Sequence, residues 1–407
     1  MSPSFPSSEL PINYYREAVA NQDYCVNRQT DHDINERGYD ETSALNNGTK
    51  QFSAPYLPQQ VCTSIEAHPS SSDELEELGD SVKKVYYRGR ICLEVLVIGF
   101  PHRGESILFF LKDDDSIKYS GLVDCYQNSN INVVQHILQK NNVKSLDFIC
   151  WTHTHIDHTL GLNAILENNI TTTTEFLVPP YPEHYVESGT KSTNKLYRKF
   201  KRIMREIGNK GIIAKEAKNC MHVTDIVLKE NEGKNKTYVM QISSFAPRDE
   251  VLFPKEVNAN TPTGNDYSIA LSIKLGKNSF ILAGDIENKT IECAHKYGRF
   301  PAKIAYVKIP HHGSKTAEML CDVLKSRSIT PFTAVTTCFS KFDLPDVKVL
   351  IHYKDLCANV YMTSGKEDTC TNPSDYGIVK TSYTIPSSGD AEINTDTSGS
   401  ACEFKTS

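Results

Sequence analysis

The sequence predicts a layered α/β architecture of the αββα kind, on three observations. Strand-like and helix-like segments interleave in mixed order through the middle of the chain. Several strand segments are nearly unbroken apolar runs, as in sheets covered on both faces. Both ends of the chain are polar and offer little to bury.

Of 407 residues, 39% are hydrophobic and 23% charged, a lean apolar share for a wholly globular chain. The length suits one large domain with extensions, or two domains. Residues 1–85 read as a polar N-terminal extension, partly disordered. It carries a candidate short helix over 12–20 and ends in the acidic stretch Asp73-Glu74-Leu75-Glu76-Glu77. Residues 86–385 form the folded domain, and the Ser/Thr/Gly-rich residues 386–407 a flexible tail.

Inside the domain, residues 91–98 and 106–111 read as strands and 121–124 as a short third one. Residues 133–139 have helical spacing, and 146–151 form a buried strand. Residues 268–275 and 279–283 read as a hairpin around Gly276-Lys277-Asn278. Further strands are expected at 304–309, 334–337 and 358–362, with helical segments between them and no internal repeat. Residues 191–210 read as an amphipathic helix. Leu196, Phe200, Ile203 and Ile207 form its apolar face; Lys195, Arg198, Lys199, Lys201, Arg202 and Arg205 make the other side basic.

A formal net charge of −6 argues against a protein held to nucleic acid or membrane by its overall field, leaving room for a local basic patch. Twelve cysteines include no C-x-x-C pair, and several, such as Cys92 and Cys150, lie in apolar runs. They read as buried free thiols of a reducing compartment. The N-terminus shows no basic start followed by an apolar run, and no stretch of about 18 apolar residues occurs. The expectation is a soluble cytoplasmic protein without a membrane segment.

The chemistry concentrates in Thr152-His153-Thr154-His155-Ile156-Asp157-His158, directly after the buried strand. Three imidazoles and a carboxylate in six residues suit a borderline-soft transition metal. His153 and His155 lie two apart, so an extended backbone can aim both at one ion. Asp157 and His158 follow at the turn into the next element and could serve a second ion.

The pattern H-x-H-x-D-H followed by Leu160-Gly161-Leu162 resembles the signature of metallo-β-lactamase-fold hydrolases. Other pieces come in the same order. Asp124 resembles the aspartate that steadies the histidine loop, and Leu282-Ala283-Gly284-Asp285 the strand-end aspartate that bridges two metals. Lys308-Ile309-Pro310-His311-His312-Gly313-Ser314, with Asn265-Asp266-Tyr267-Ser268, is similar to the hydrolase domain of ComEC-type DNA-uptake proteins. The resemblance spans residues 91–385 and implies a four-layer αββα metallo-β-lactamase fold.

Three departures stand beside it. The family's G-x-G-D-S is Arg103-Gly104-Glu105-Ser106 here, and the glycine after the third-strand aspartate is replaced by Cys125-Tyr126. Between the cluster and Asp285 the only histidines are His184 and His222, both read as loop or surface residues, so no third-motif ligand is assigned.

The resemblance implies one or two divalent ions, Zn or Mn with Mg as a third option. His153, His155 and Asp285 would hold the first, where it would acidify a water; Asp157, His158, Asp285 and His311 would hold the second. Asp157 could instead orient the nucleophile. Sequence alone does not separate His311 from His312; His311 is expected as the ligand and His312 as a proton donor or phosphate contact. Lys308 is either a core-edge lysine or a substrate contact. The basic helix, through Lys195, Arg198, Lys199 and Arg202, would attract a phosphodiester backbone and points to a nuclease or related phosphodiesterase acting on DNA or RNA. The alternatives are a small-molecule esterase or lactonase using the same metals, and a non-catalytic or partner-regulated protein assembling through its N-terminal extension, for example within a defence system.

Overall fold

The structure, a computed structural model, describes residues 82–128, 131–180, 191–230, 236–252, 263–364, 376–385 and 391–405, with backbone only for 191–197 and 200. All described residues belong to one compact unit, Leu78–Ser407. The expected N-terminal extension, its short helix and any partner contact through it lie outside the described residues, as does His184.

Two sheets carry the fold. One has nine strands in the order β1-β8-β9-β10-β11-β12-β13-β14-β17, and the other eight in the order β16-β15-β2-β3-β4-β5-β6-β7. The strands are β1 (Val82–Tyr87), β2 (Ile91–Gly99), β3 (Glu105–Asp113), β4 (Ser116–Val123), β5 (Phe148–Cys150), β6 (Glu175–Val178), β7 (Ala214–Glu216), β8 (Met221–Glu230) and β9 (Thr237–Ala246). After them come β10 (Ala270–Leu275), β11 (Asn278–Leu282), β12 (Ile304–Lys308), β13 (Thr333–Thr336), β14 (Asn359–Met362), β15 (Gly377–Ile385), β16 (Glu392–Gly399) and β17 (Cys402–Glu403).

The unbroken apolar runs explain the layering. Successive strand side chains point to opposite faces, so a strand apolar at every position must be covered twice. In β2 and β3, Leu93, Val95, Val97, Ile107, Phe109 and Leu111 face the second sheet, where they meet Leu271, Ile273, Phe280 and Tyr306. The alternate residues Leu96, Ile98, Leu108 and Phe110 pack outward on the helices Val133–Lys140, Leu162–Asn168 and Lys191–Asn209. The nine-stranded sheet buries its outer face under Asn288–Lys296, Met319–Ser326 and Val347–Leu356, through Ile291, Leu320, Leu324 and Leu350. The four-layer αββα order expected from the sequence is present.

Some boundaries differ from the reading. β1 straddles the expected start of the domain at residue 86 and pairs in parallel with β8. The tail expected from residue 386 is not loose where it is described: β16 pairs antiparallel with β15, and β17 with β14. β16 is exposed along most of its length, so backbone pairing at a sheet edge holds it and no apolar period betrays it. The nine described cysteines are all free thiols, five of them buried. Among the described residues no helix is long and apolar enough to cross a membrane.

Candidate metal centre

Parallel strands β4 and β5 in one sheet, and β11 and β12 in the other, end on the same side of the molecule, and each hands its next residues to the site. β5 leads into His153 and His155, and the single turn Ile156–Thr159 carries Asp157 and His158. Asp124 follows β4, Asp285 follows β11, and the His311-His312 pair follows β12. Asp124, His311 and His312 have φ of 56°, 47° and 52°, left-handed values that Asp and His tolerate better than most residues. Before Asp285, Gly284 has φ 54°, and a Cβ there would lie 2.7 Å from both Ile269 O and Ser268 Oγ, so only glycine brings the chain through.

Asp124 organises the histidine loop. Its carboxylate accepts from Thr152 N–H (2.7 Å), from Thr152 Oγ1 (2.6 Å) and from His158 Nδ1 (2.7 Å). Since Thr152 gives its one hydroxyl proton to Asp124, its oxygen can only accept from His153 Nδ1 at 2.9 Å. His153 therefore turns an unprotonated Nε2 inward, 3.0 Å from His155 Nδ1 and 3.7 Å from Asp285 Oδ2.

A second relay repeats the first. Thr337 Oγ1 donates to Glu105 Oε2 (2.6 Å) and so accepts from His312 Nδ1 (2.7 Å). That leaves His312 Nε2 facing Asp157 Oδ2 at 3.1 Å and Asp285 Oδ2 at 3.6 Å. Carboxylate, threonine and imidazole thus recur in the same order on both sides of the cluster, each fixing a tautomer with Nε2 inward.

Three overlapping groups of donor atoms result, each with its atoms within 4.8 Å of one another: His153, His155 and Asp285; Asp157, His158, Asp285 and His312; and Asp124, His153 and His158. Asp285 belongs to the first two. Two buried atoms of these residues, His158 Nε2 and Asp285 Oδ1, make no hydrogen bond, and His158 Nε2 lies 3.3 Å from Asp285 Oδ2. Buried polar atoms without a partner are rare, and a nitrogen and an oxygen left over in such a donor set suit a cation.

The electrostatics have the same origin. Burial pushes His153 well below the usual imidazole value, with His158 and His155 adding to the shift. Burial also lowers His155. Burial opposes ionisation of Asp285, but His158 and His312 outweigh it and hold the carboxyl well below the usual range. His158 is opposite in sign: Asp285, Asp157 and Asp124 overcome its burial and raise it well above the ordinary value. Asp124 is raised by burial.

The structure separates the two adjacent histidines. His312, fully buried, closes the four-residue group, whereas His311 turns to the partly exposed edge. There His311 Nδ1 meets Thr316 Oγ1 at 2.9 Å and Glu287 Oε1 at 3.3 Å, and its Nε2 lies 3.3 Å from Asn265 Nδ2. The sequence reading favoured His311 as the ligand; here it is His312 that joins the buried group, and both residues have left-handed backbone.

Lys308 is not at the surface of the site. It is fully buried, with Nζ 2.6 Å from Glu105 Oε2 and donating to Ile309 O at 3.0 Å. The sequence reading quoted Glu105 within Arg103-Gly104-Glu105-Ser106 without assigning it a role. Thr152 and Asn265 lay inside quoted motifs without a role assigned to them, and nothing in the sequence marked Thr337 or Glu287. His222 is half exposed and lies 3.4 Å from Asp225, away from the cluster.

The basic helix forms over Lys191–Asn209, with Ile203 and Ile207 buried on the eight-stranded sheet. Arg198 and Arg202 are exposed and Lys199 half buried, while the Lys195 side chain lies outside the described residues. Because β5, β6 and β7 are parallel, the helix joining β6 to β7 starts on the side of the sheet where the histidines lie.

No family model matches the chain, and no curated protein matches it. Solved structures do. YhfI, a metallo-beta-lactamase fold protein from Bacillus subtilis, is similar over 66% of this chain and 95% of its own, at 12% identity and a TM-score of 0.32. A diphosphatase from the PhnP family aligns over 60% of this chain and 85% of its own, at 11% identity and a TM-score of 0.30. A long-form RNase Z from yeast aligns over 66% of this chain and 40% of its own, at 11% identity and a TM-score of 0.30. Likeness at this level fixes neither activity nor substrate.

Proposed function

We propose that the chain is a metal-dependent phosphodiesterase acting on nucleic acid. The observation that carries the reading is Asp285, one carboxylate shared by two groups of donors that include a buried nitrogen and a buried oxygen without hydrogen bonds. Imidazoles and carboxylates without a thiolate suit Zn²⁺ or Mn²⁺, with Mg²⁺ as a third candidate. A divalent ion bound there supplies positive charge for phosphate oxygens and a water acidified towards neutrality.

In the reaction, water adds to phosphorus and one P–O ester bond breaks, leaving a phosphate monoester and an alcohol. The protein's own groups do the rest. Asp157 orients the attacking water or serves as a ligand beside His158. His311, tied to Glu287 and Thr316 at the edge of the cluster, takes the proton-transfer or phosphate-contact role that the sequence had offered to His312. Arg198, Lys199 and Arg202 draw in a polyanion despite the net negative charge. The similarity of residues 308–314 to ComEC-type hydrolase domains supports the same substrate class.

The test is purified protein on labelled DNA and RNA with Mn²⁺, Mg²⁺ and Zn²⁺ in turn, with His155→Ala and Asp285→Ala as controls. Cleavage that both variants abolish is expected. No cleavage of either polymer with any ion would overturn the reading and leave the small-ester hydrolase in its place.

A further inference from the structure

A cavity of about 580 Å³ opens next to the cluster, within the usual range for small-molecule sites. Its walls divide by chemistry. Phe100, Tyr126 and Phe339 are aromatic, whereas His102, Arg103 and Lys341 bring basic side chains to an exposed rim. Phe100 and Tyr126 pack edge to face, with ring centroids 5.1 Å apart and planes at 67°. Tyr126 is pinned from below: a Cβ on Gly104, at φ +109°, would fall 2.2 Å from its ring. Arg103 Nε donates to the Tyr126 hydroxyl at 3.3 Å, which anchors the guanidinium at the mouth. The rim is laced shut on one side, where Ser340 N–H donates to His102 O at 3.0 Å and Ser340 Oγ meets His102 Nδ1 at 3.2 Å.

The cavity is one ring away from the donor cluster. Phe339 lines it and also stands nearly perpendicular to His312, with centroids 5.3 Å apart. On the other side, Tyr126 lies two residues beyond Asp124. Aromatic walls, a basic rim and a neighbouring cation-binding cluster match a ligand with a flat ring and an adjoining anion.

We propose that this cavity seats the base of the nucleotide unit whose phosphodiester lies at the histidines. The inference rests on the phosphodiester reading and narrows it: the ring is held by Phe339 and Tyr126, and the negative charge beside it by Arg103 and Lys341. The site then discriminates by the presence of a base next to the scissile bond and not by the backbone alone.

Two measurements test it. In the first, kcat/KM is compared for a short thymidylate oligonucleotide and for an equally long chain of abasic tetrahydrofuran residues. The base-bearing chain should be cleaved at least about ten-fold better, a typical effect for one stacked base. In Phe339→Leu, which keeps bulk and loses the ring, that ratio should fall towards one. In the second, calorimetry on metal-free protein compares thymidine 5′-monophosphate with deoxyribose 5-phosphate. The nucleotide should bind more tightly, and Arg103→Gln should weaken it about ten-fold, as expected for the loss of a charge-assisted hydrogen bond.

Equal cleavage of both chains, or equal binding of both phosphates, would overturn the pocket assignment while phosphodiester cleavage stands. If neither chain is cleaved with any ion, the phosphodiester reading fails. The calorimetry then decides the pocket alone, with preferential nucleotide binding that Phe339→Leu abolishes supporting it.

Discussion

Lys308 Nζ lies 2.6 Å from Glu105 Oε2, and neither side chain reaches solvent. The pair joins the end of β12 in one sheet to the start of β3 in the other. Glu105 uses the same oxygen to accept from Thr337, which in turn accepts from His312. An ion pair in the core therefore sets the direction of an imidazole in the site.

Lys308→Met should cost about 3–5 kcal/mol in urea unfolding, because it leaves a buried carboxylate without its partner. The double change Glu105→Gln with Lys308→Met removes both charges and should recover much of that loss. A double variant as unstable as the single one would show that the pair's charge balance is not what holds this region.

Acid should weaken the same contact. Burial disfavours the Glu105 anion, but Lys308, His158 and His312 outweigh it and hold the carboxyl below its ordinary value. The unfolded chain therefore takes up the proton first as pH falls. The stabilisation is complete above the unfolded carboxyl value of about 4.3 and is lost as pH falls through the lower folded value. The stability difference between the wild type and the doubly neutral variant should be flat near neutrality and narrow only below that point, read from urea midpoints across an acid pH series.

Asp124→Asn tests the first relay. The left-handed backbone at this position accepts Asn as readily as Asp, so the fold should survive. The variant weakens a charged acceptor that holds Thr152 and His158, and outer partners of this kind typically govern affinity by about 10–100-fold. Chelator competition should show that loss for Zn²⁺ or Mn²⁺ while the unfolding transition stays cooperative.

The two neighbouring histidines should separate in the same assay. His312→Ala is expected to lower ion affinity or stoichiometry, and His311→Ala to leave ion content near wild type while reducing turnover. The opposite pattern would return His311 to the ligand set.

How far the sequence spoke depended on whether a residue's partner was local. β2, β3 and the β10–β11 hairpin were legible because their apolar runs and turn residues lie within a few positions of one another. The cluster from His153 to His158 was legible for the same reason, and Asp124 and Asp285 followed from strand ends. β8 and β9 went unread: their polar positions are interspersed without a clean period, and pairing with each other and with β1 and β10 secures them. The different surroundings of His311 and His312 accompany two left-handed backbone torsions that residue spacing does not encode. Glu105, Lys308 and Thr337 come from three distant segments and meet only when both sheets are in place.

Asp124, His153, His155, Asp157 and His158 all come from the eight-stranded sheet, while Asp285 and His312 come from the nine-stranded one. An ion gripped by both sets is a clasp across the layers, fastening two halves that otherwise adhere through apolar contact and a few polar links such as Lys308–Glu105. The sheets cannot part until the clasp opens. The melting temperature should therefore climb with free ion concentration and drop when a chelator is added, so the ion would act as a structural rivet at the same point where it serves chemistry.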